Sequence, residues 1–409
     1  MMLPPPGTAE EAAPHEREQP STNVIHIPSV PPGAIYIEEG IAARCGAIFA
    51  SHGIRRAVLI SNPVVGALYG ASVRNAIREG GVEVDSLEIP DGEAYKTVLT
   101  VERLCEQLAE IRADRATALV ALGGGVVNDV VGFAAATYLR GVPLVTIPTT
   151  VLAMVDASIG GKVGVDLPQG KNLVGAFYNP AFVIADPLLL LSLPPRTFAA
   201  GMAEVVKIAC IASPALFELL EQREPALGPQ DLGQLIATDI EIKVRIVTED
   251  PYEQGIRAIL NLGHTLGHAL EAARGYHRIM HGEAVSMGMI GALRLARSLN
   301  VLEDDYEARL ESLLERYHLP TRIARAGWER VEAALGVDKK RYGQDIRFVL
   351  PVRLGQVEVH RNVPLSLVQD VYESMLTRDE ESAFDAEGDP DEQDMARAGY
   401  GDDTMNDVP

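Results

Sequence analysis

Short β-branched runs alternate with helical patterns from Ile25 to about Pro195, and this alternation limits the possible folds more than any other feature. Strands are predicted at 57–61, 82–84, 117–122 and 143–148. Runs that are mostly apolar and separated by helices are typical of parallel strands covered on both faces. The pattern therefore predicts βαβ units and an α/β domain built on a parallel sheet.

A different pattern begins at about Pro195, where apolar residues recur at helical spacing as far as Leu376, apart from one extended stretch at 346–350. We therefore expect an α/β domain at 26–195 and a mainly helical domain at 196–377, with a ligand site in the cleft between them. Residues 1–25 and 378–409 lack an apolar period, which predicts a disordered leader and an acidic disordered tail.

Charge and cysteine content narrow the class of protein. The net charge is −21, and the tail, with twelve acidic residues and two arginines, supplies −10 of it. This excess disfavours a nucleic-acid or anionic-membrane surface. Cys45, Cys105 and Cys210 show no paired spacing, which predicts free thiols in a reducing cytoplasm. No apolar run reaches the roughly 18–20 residues of a membrane span, so we expect a soluble protein.

Two turns follow predicted strands and are candidate nucleotide contacts. Gly123-Gly124-Gly125 lies directly after a buried strand and leads into a helix predicted at 130–139. Glycines allow a phosphate to approach the backbone, and a helix N-terminus offers free N–H groups. Asp91 to Lys96 follow the second strand, where a carboxylate can accept hydrogen bonds from ribose hydroxyls. The glycine turn could equally be a plain strand-to-helix turn, and without further context 91–96 is better explained as a surface turn capped by a charge pair.

Polar residues are concentrated in a Gly-rich stretch that is predicted to be non-helical. Asp156, Lys162, Lys171 and Asn172 all lie in it, and such cationic groups on a glycine-permitted backbone suit a phosphate. Lys243, Arg257 and Asn261 form a further set that could clamp a carboxylate or phosphate, although Arg257 could equally belong to a surface ion pair.

A metal-ligand set is spread over three predicted segments. Glu204 and Lys207 share one helical face, and His264 and His268 share another. His281 follows, and one glutamate with two or three histidines is a normal ligand set for a catalytic zinc. Spacing alone would nominate both His264 and His268.

Together, these motifs resemble those of 3-dehydroquinate synthases. The matching segments are 91–96 (DGEAYK), 123–129 (GGGVVND), 147–179, 201–207 (GMAEVVK), 261–268 (NLGHTLGH) and 281–285 (HGEAV), in the family's order. The resemblance covers about 35–376. It implies a Rossmann-like NAD-binding domain followed by a helical metal- and substrate-binding domain, in a homodimer without nucleic-acid or membrane partners.

The implied activity is that of a shikimate-pathway lyase that converts 3-deoxy-D-arabino-heptulosonate 7-phosphate to 3-dehydroquinate and phosphate. The steps would be transient oxidation by NAD, phosphate elimination, re-reduction and intramolecular aldol closure. The resemblance assigns Zn²⁺ or Co²⁺ to Glu204, His264 and His281, which leaves His268 to the substrate.

The resemblance also assigns the remaining site residues. NAD would contact Asn62, Asp91, Gly92, Glu93, Ala94, Tyr95, Lys96, Gly124, Gly125, Val126, Val127, Asn128, Asp129, Thr149, Thr150, Lys162, Lys171, Leu189, Leu190, Leu191 and Ser192. The substrate would contact Asp156, Lys162, Asn172, Lys207, Lys243, Arg257, Asn261, His268 and Lys339, the last preferred to Lys340. Arg140 would reach the substrate phosphate across the homodimer interface.

Two departures and three alternatives accompany this interpretation. Asn128 replaces a common family glycine, which we attribute to asparagine's tolerance of unusual backbone angles, and 189–192 differs from the usual residues. The alternatives are a sister sugar-phosphate cyclase, a metal-dependent NAD alcohol dehydrogenase and a non-catalytic homologue that binds partners through its acidic tail. Lys243, Arg257 and Asn261 favour a carboxylated substrate over the sister reactions, and the ligand and cation sets disfavour the other two.

Overall fold

The structure is a computed structural model that describes residues 23–27, 33–225, 227–274, 278–324, 327–341 and 346–377, without the side chains of 337–341. Its strands are β1 (Asn23–Ile27), β2 (Gly33–Ile37), β3 (Arg56–Ser61), β4 (Glu83–Glu88), β5 (Ala118–Gly123), β6 (Leu144–Pro148), β7 (Lys162–Leu167), β8 (Gly170–Phe177), β9 (Phe182–Ala185), β10 (Arg347–Arg353) and β11 (Gln356–Arg361).

The α-helices in these ranges are α1 (Gly46–Ser51), α2 (Pro63–Val65), α3 (Ala71–Glu79), α4 (Val98–Glu110), α5 (Gly125–Thr137), α6 (Pro195–Ala212), α7 (Pro214–Gln222), α8 (Pro229–Glu249), α9 (His264–Arg274), α10 (His281–Ser298), α11 (Glu307–Arg316), α12 (Trp328–Arg341) and α13 (Leu365–Ser374). Short 3₁₀ or π turns lie at Ile41–Arg44, Gly66–Gly70, Glu93–Tyr95, Tyr138–Arg140, Ala153–Ala157, Pro187–Ser192 and Ile256–Asn261.

The chain divides into two compact units. Unit 1 comprises Met1–Gly201 and Arg223–Arg257, and unit 2 comprises Met202–Gln222 and Ala258–Pro409. The division predicted at 195/196 therefore differs from the structural one, since α8 groups with the sheet-containing unit. An amphipathic helical pattern shows that a helix packs against something but not against which element, so the sequence could not assign α8.

Unit 1 is built on a seven-stranded sheet in the order β1-β2-β9-β6-β5-β3-β4. All neighbouring strands from β2 to β4 pair in parallel, and β5, β6 and β9 are buried along their whole length. The predicted α/β domain with a parallel sheet is therefore confirmed. One correction concerns β1, which begins at Asn23 inside the predicted leader and pairs antiparallel with β2. Its five residues are too few to show a period.

The helix after β5 starts earlier than the predicted residue 130. Helix α5 begins at Gly125, directly after Gly124, because the glycines let the chain turn back onto the sheet. A Cβ on Gly123 would lie 2.6 Å from the side chain of Val127, so this turn accepts only glycine. Asn128 has an ordinary helical conformation inside α5, and the explanation of this departure by unusual backbone angles is wrong.

The Gly-rich stretch after β6 was predicted to be non-helical, and this is wrong for Asp156, which lies in the π turn Ala153–Ala157. Lys162, Lys171 and Asn172 lie in the antiparallel β7–β8 hairpin. Gly164 and Gly175 face each other there, and a Cβ on Gly175 would lie 2.3 Å from the carbonyl oxygen of Val163. The glycines therefore mark close strand packing rather than an open loop.

Unit 2 is mainly helical, as predicted, with the β10–β11 hairpin containing the extended stretch at 346–350. Helices α9 and α10 pack closely, since a Cβ on Gly288 would lie 1.9 Å from the carbonyl oxygen of Gly263. Gly263 has φ +78°, which explains a glycine just before α9. Within the described ranges, no helix combines the length and apolar character needed to cross a membrane.

Candidate functional site

Glu204, His264 and His281 form a compact cluster in unit 2, on α6, α9 and α10. Glu204 is 1% exposed, and its Oε1 lies 3.8 Å from Nε2 of His264 and 3.5 Å from Nε2 of His281. The close approach of α9 and α10 at their glycines brings both imidazoles to the carboxylate. Two nitrogen donors and one oxygen donor are thus arranged around a common point.

Charge in this cluster is strongly perturbed. Burial raises the pKa of Glu204, but the neighbouring Lys207 ammonium and the imidazoles outweigh burial and hold it well below its usual value. Burial and the positive charge of Lys207 lower the pKa of His264 well below its usual value. Burial also lowers the pKa of His281, but the nearby carboxylates of Glu204 and Glu271 outweigh burial and raise this pKa to about 10.

The cluster fits a divalent metal. Among the described residues, Glu204 Oε1 is buried and has no hydrogen-bond partner, although two imidazole nitrogens face it. A buried carboxylate oxygen that lacks a partner is costly unless an ion or water satisfies it. One carboxylate and two imidazoles also match the donors of catalytic zinc sites that keep an open position.

His268 lies on the same face of α9 but outside this cluster. Its side chain is exposed, and it belongs instead to a second group of possible ligands with Glu271 and His281. The ring centroid of His268 is 5.3 Å from that of His264 and 5.8 Å from that of His281. Spacing in the sequence could not separate His264 from His268, whereas the structure does, because His264 and not His268 groups with Glu204 and His281.

In unit 1, most predicted nucleotide contacts follow the carboxyl ends of adjacent parallel strands. Asn62 follows β3, Asp91 follows β4, Gly124 follows β5 and Thr149 follows β6. Asn62 donates a hydrogen bond to Asp91, and its Oδ1 accepts one from the backbone N–H of Val65. This edge is where open α/β sheets bind their ligands.

The turn before α5 fits a pyrophosphate. A Cβ on Gly124 would lie 3.1 Å from the side chain of Thr150, so the backbone is accessible only because no side chain is present there. The first residues of α5 present free N–H groups and the positive end of the helix dipole. Thr149 Oγ1 is buried without a hydrogen-bond partner among the described residues, which leaves it available to a ligand.

Lys96 is the centre of a polar cluster beside this turn. Its ammonium lies 2.5 Å from Asp129 and donates a hydrogen bond of 2.5 Å to Asn172. Burial lowers the pKa of Lys96, but the carboxylates of Asp129 and Glu93 outweigh burial and raise it. Burial raises the pKa of Asp129 to about 6, even though Lys96 opposes the shift.

Two further buried cations lie against the segment 156–160. Lys243 forms an ion pair with the Asp156 carboxylate and donates a 2.8 Å hydrogen bond to the Asp156 carbonyl oxygen. Arg257, which is 3% exposed, donates hydrogen bonds to the carbonyl oxygens of Gly160 at 3.0 Å and Pro251 at 2.6 Å. The surface ion-pair alternative for Arg257 is therefore wrong, because the guanidinium is buried and fixed by backbone oxygens.

The remaining predicted residues are placed as follows. Lys162 pairs with Glu253, and Lys171 lies 3.2 Å from Glu93. The segment 189–192 lies in a 3₁₀ turn after β9, and the Tyr69 hydroxyl lies within hydrogen-bond distance of its Leu189 carbonyl oxygen, at 3.1 Å, and of Ser192 Oγ, at 2.6 Å. In unit 2, Asn261 ends the turn before α9, whereas the side chain of Lys339 lies outside the described residues.

Arg140 occupies an unusual turn in unit 1. Leu139 and Arg140 have φ +50° and +65°, in the left-handed region that residues other than glycine seldom adopt. Such local strain is often found at functional positions, so the turn is a reasonable place for a ligand contact.

Among the carboxylates that sequence reasoning missed, Glu271 and Glu253 approach the side chains of predicted site residues. Glu271 is buried beside His281, and its position seven residues after His264 on one helical face could have indicated it. Glu253, which pairs with Lys162, follows Pro251 in an irregular segment with φ +56°, and no periodic signal marks it.

Known proteins resemble this chain along most of its length. The family model described as 3-dehydroquinate synthase N-terminal matches residues 86–200, and the C-terminal model of the same family matches 201–341. A 3-dehydroquinate synthase from a Synechococcus species is 45% identical over 324 residues, which is 78% of this chain and 88% of the relative.

Solved structures of two related cyclases are also similar. A 2-deoxy-scyllo-inosose synthase complexed with carbaglucose-6-phosphate, NAD⁺ and Co²⁺ has a TM-score of 0.79 at 29% identity, covering 87% of this chain and 100% of its own. A 2-epi-5-epi-valiolone synthase from Streptomyces hygroscopicus with NAD⁺ and Zn²⁺ bound has a TM-score of 0.77 at 26% identity, covering 83% and 96%.

Proposed function

The chain belongs to the 3-dehydroquinate synthase family, and we propose that its Glu204, His264 and His281 cluster is the metal centre of the family's reaction. The enzyme is a phosphate-eliminating lyase that converts 3-deoxy-D-arabino-heptulosonate 7-phosphate to 3-dehydroquinate and phosphate. Its cofactors are NAD and Zn²⁺ or Co²⁺.

The observation that carries the metal assignment is the buried, unpartnered Glu204 Oε1, which two imidazole Nε2 atoms face. A bound divalent metal supplies Lewis-acid polarisation of substrate oxygens, and bound NAD supplies the reversible oxidation. The chain itself contributes a buried ligand set and, beside it, the ammonium of Lys207, which is ion-paired with Glu204. That ammonium can stabilise negative charge that develops on a substrate oxygen.

In unit 1, we assign NAD to the edge formed by the ends of β3, β4, β5 and β6. The turn at Gly123–Gly125 and the N-terminus of α5 would hold the pyrophosphate, because that turn excludes side chains and offers N–H donors. The Asn62–Asp91 pair supports a ribose contact, since a carboxylate at this position can accept ribose hydroxyls. The ion pair of Lys96 with Asp129 completes the proposed cofactor-binding edge, and Asn172, which the resemblance assigns to the substrate, accepts a hydrogen bond from Lys96.

We propose that Lys243 and Arg257 bind some of the anionic groups of the substrate. Both cations are buried, and each is held by the segment 156–160, so their charges are oriented before a ligand arrives. A planar guanidinium suits a carboxylate, which carbaglucose-6-phosphate, the ligand bound to the related cyclase, lacks. This pair therefore supports a carboxylated substrate over those of the sister cyclases.

Turnover of the zinc-loaded protein tests the activity directly. With a catalytic amount of NAD and the heptulosonate phosphate, release of phosphate and formation of dehydroquinate should be stoichiometric, without net NADH. Accumulation of NADH would indicate an alcohol dehydrogenase. An absence of phosphate release from folded, metal-loaded protein would indicate a sister cyclase, to be tested with sugar phosphates that lack the carboxylate.

His264→Ala and His268→Ala form a matched pair for the metal assignment, because both histidines lie on one face of α9. His264→Ala should abolish metal retention and activity, since it removes one of three protein ligands. His268→Ala should retain the metal, which atomic absorption of the purified variants would measure. Normal metal content in His264→Ala would contradict the assignment.

We further propose that the enzyme is a cytoplasmic homodimer in which Arg140 contacts the substrate phosphate of the partner's site. The cytoplasmic assignment is supported by three cysteines that are free in the structure. The dimer assignment rests on the family resemblance, and the strained turn at Leu139 and Arg140 supports a ligand contact there. Sedimentation equilibrium of the full chain measures the subunit number.

A further inference from the structure

Glu271 is a buried carboxylate of unit 2 that the reaction described above does not use. It lies on α9, on the same helical face as His264 and His268, and is 1% exposed. Because α9 and α10 pack antiparallel through Gly263 with Gly288 and Gly267 with Ala284, Glu271 lies opposite the start of α10. That start is His281, the third proposed metal ligand.

The imidazole of His281 lies between two carboxylates. Its Nδ1 is 3.4 Å from Glu271 Oε2, and its Nε2 is 3.5 Å from Glu204 Oε1. A neutral imidazole has one N–H and one lone pair, so the acceptor at Nδ1 decides whether Nε2 is free to bind a metal. A carboxylate at Nδ1 holds the N–H there and leaves the lone pair of Nε2 directed toward Glu204.

His264 shows the same arrangement with a different acceptor. Its Nδ1 lies 3.1 Å from the carbonyl oxygen of Leu262, and its Nε2 faces Glu204 at 3.8 Å. Both proposed imidazole ligands therefore present Nε2 to one point and have an oxygen acceptor at Nδ1. The carboxylate on His281 differs from the carbonyl on His264 in that its full negative charge makes the imidazole a stronger donor.

We propose that Glu271 is a positioning residue of the metal centre, which accepts the Nδ1–H of His281 and so fixes the ring with Nε2 toward the metal. The proposal rests on the assignment of Glu204, His264 and His281 as the ligands. Hydrogen-bond acceptors behind a ligating histidine fix both its tautomer and its ring orientation, and removing one typically weakens metal binding by about 10- to 100-fold.

The same atoms suggest one competing arrangement, a second cation held by His268, Glu271 and Nδ1 of His281. In that case His281 would bridge two metals and would have to lose both ring protons. The exposed position of His268 and the matching orientation of His264 favour a single metal with Glu271 behind it. The two arrangements differ in the number of metal ions bound per chain.

The experiment compares Glu271→Ala and Glu271→Gln with Glu307→Ala and Glu307→Gln in the full chain. Glu307 is a suitable control because it is also a largely buried carboxylate of unit 2, but it pairs with Arg294. For each protein we would measure the Zn²⁺ dissociation constant by competition with a chromophoric chelator and the number of Zn²⁺ ions bound. The absorption spectrum of the Co²⁺ form and the unfolding free energy of the metal-free form complete the set.

Glu271→Ala should bind Zn²⁺ about 10- to 100-fold more weakly and change the Co²⁺ spectrum, while Glu307→Ala should do neither, even where it loses as much stability. Glu271→Gln, which is nearly isosteric and folds most readily, should lose less affinity because its carboxamide oxygen still accepts the N–H. Unchanged Zn²⁺ affinity in both Glu271 variants would overturn the proposal. So would two Zn²⁺ ions per chain in the parent and one in Glu271→Ala.

His264→Ala, measured with the same assays, tests the assignment of the metal ligands separately from the positioning role of Glu271. If His264→Ala loses Zn²⁺ and the Glu271 variants do not, only the positioning role is wrong. If His264→Ala retains Zn²⁺, the ligand assignment itself fails.

Discussion

Substituting methionine for Lys207 should weaken the metal-free protein and strengthen its binding of metal. Lys207 is 2% exposed and forms an ion pair with Glu204, which is 1% exposed. Removing one partner of a buried ion pair leaves an uncompensated charge and typically costs about 3–5 kcal/mol. We therefore expect a loss of that size in the unfolding free energy of metal-free Lys207→Met.

With Zn²⁺ bound, the positive charge that compensates Glu204 comes from the metal. The remaining change is close to volume-conserving, and such substitutions usually cost less than about 1.5 kcal/mol. The loss in the metal-free form should then exceed the loss in the metal-bound form by roughly 1.5–3.5 kcal/mol. A thermodynamic cycle converts this difference to metal binding that is tighter by about 10- to 300-fold.

Urea unfolding with and without saturating Zn²⁺ measures the unfolding free energies of both forms, and chelator competition measures the Zn²⁺ affinities that complete the cycle. A pH near 8 is appropriate, because neither histidine then replaces the missing ammonium. The pKa of His264 is lowered, so His264 is neutral at this pH. His281, with a pKa of about 10, is protonated in parent and variant alike, and its charge is shared with the Glu271 carboxylate. The double variant Glu204→Gln/Lys207→Met removes both charges and should recover much of the stability of the metal-free protein while losing metal binding. Equal losses with and without Zn²⁺ would refute the reasoning, since they would show that Lys207 does not compensate the charge of the metal ligand.

Three further outcomes are expected. Arg257→Ala should lower kcat/KM for the carboxylated substrate by roughly 10- to 100-fold while NAD binding, followed by fluorescence titration, persists; lost NAD binding would show that the residue is misassigned. The folded-state pKa of Asp129 is about 6, above the ordinary value of 3.8. The stabilisation that comes from binding this proton is therefore fully present below pH 3.8 and is lost as the pH rises through about 6. Asp129→Asn should therefore flatten the unfolding free energy over this pH range, and an unchanged profile would contradict the shift. If Arg140 acts in the partner's site, mixing Arg140→Ala with His264→Ala subunits should restore activity in hybrid dimers, whereas a residue acting in its own subunit's site would give none.

The strands at the centre of the unit 1 sheet were predictable because parallel strands that are covered on both faces consist of short, continuous apolar runs, which few other elements show. The runs at 57–61, 117–122 and 143–148 correspond to β3, β5 and β6 within one residue at each end. The grouping of α8 with unit 1 and the pairing of β1 with β2 were not predictable. Both depend on contacts between segments far apart in sequence, which local periodicity does not encode.

The ligand set shows the same limit at the level of side chains. Helical spacing placed His264 and His268 on one face, and only the resemblance to a family distinguished them. The structure distinguishes them physically, because the close packing of α9 against α10 at Gly263 and Gly288 brings His281 and His264 to Glu204. Residue spacing describes the faces of a single helix, whereas the proposed metal centre depends on how three helices pack against one another.

Asn128 stands where the family commonly has glycine, and the sequence alone led to a wrong explanation of this difference. Asparagine was accepted for its backbone tolerance, but the residue is helical and 2% exposed, and both polar atoms of its side chain lack a hydrogen-bond partner among the described residues. A buried carboxamide without partners typically costs about 1–3 kcal/mol unless a ligand satisfies it, so what distinguishes this residue from glycine is its side chain and not its backbone geometry.

The most general point that sequence reasoning missed is that the predicted cationic ligands are already paired with carboxylates. These pairs are Lys96 with Asp129, Lys162 with Glu253, Lys171 with Glu93, Lys207 with Glu204 and Lys243 with Asp156. A lysine in a motif suggests a positive charge available to an anion, but a buried ammonium without a counter-ion would lose its proton or destabilise the fold. Under the assignments proposed above, NAD must therefore compete with carboxylates for Lys96 and Lys171, and the substrate must do so for Lys207 and Lys243.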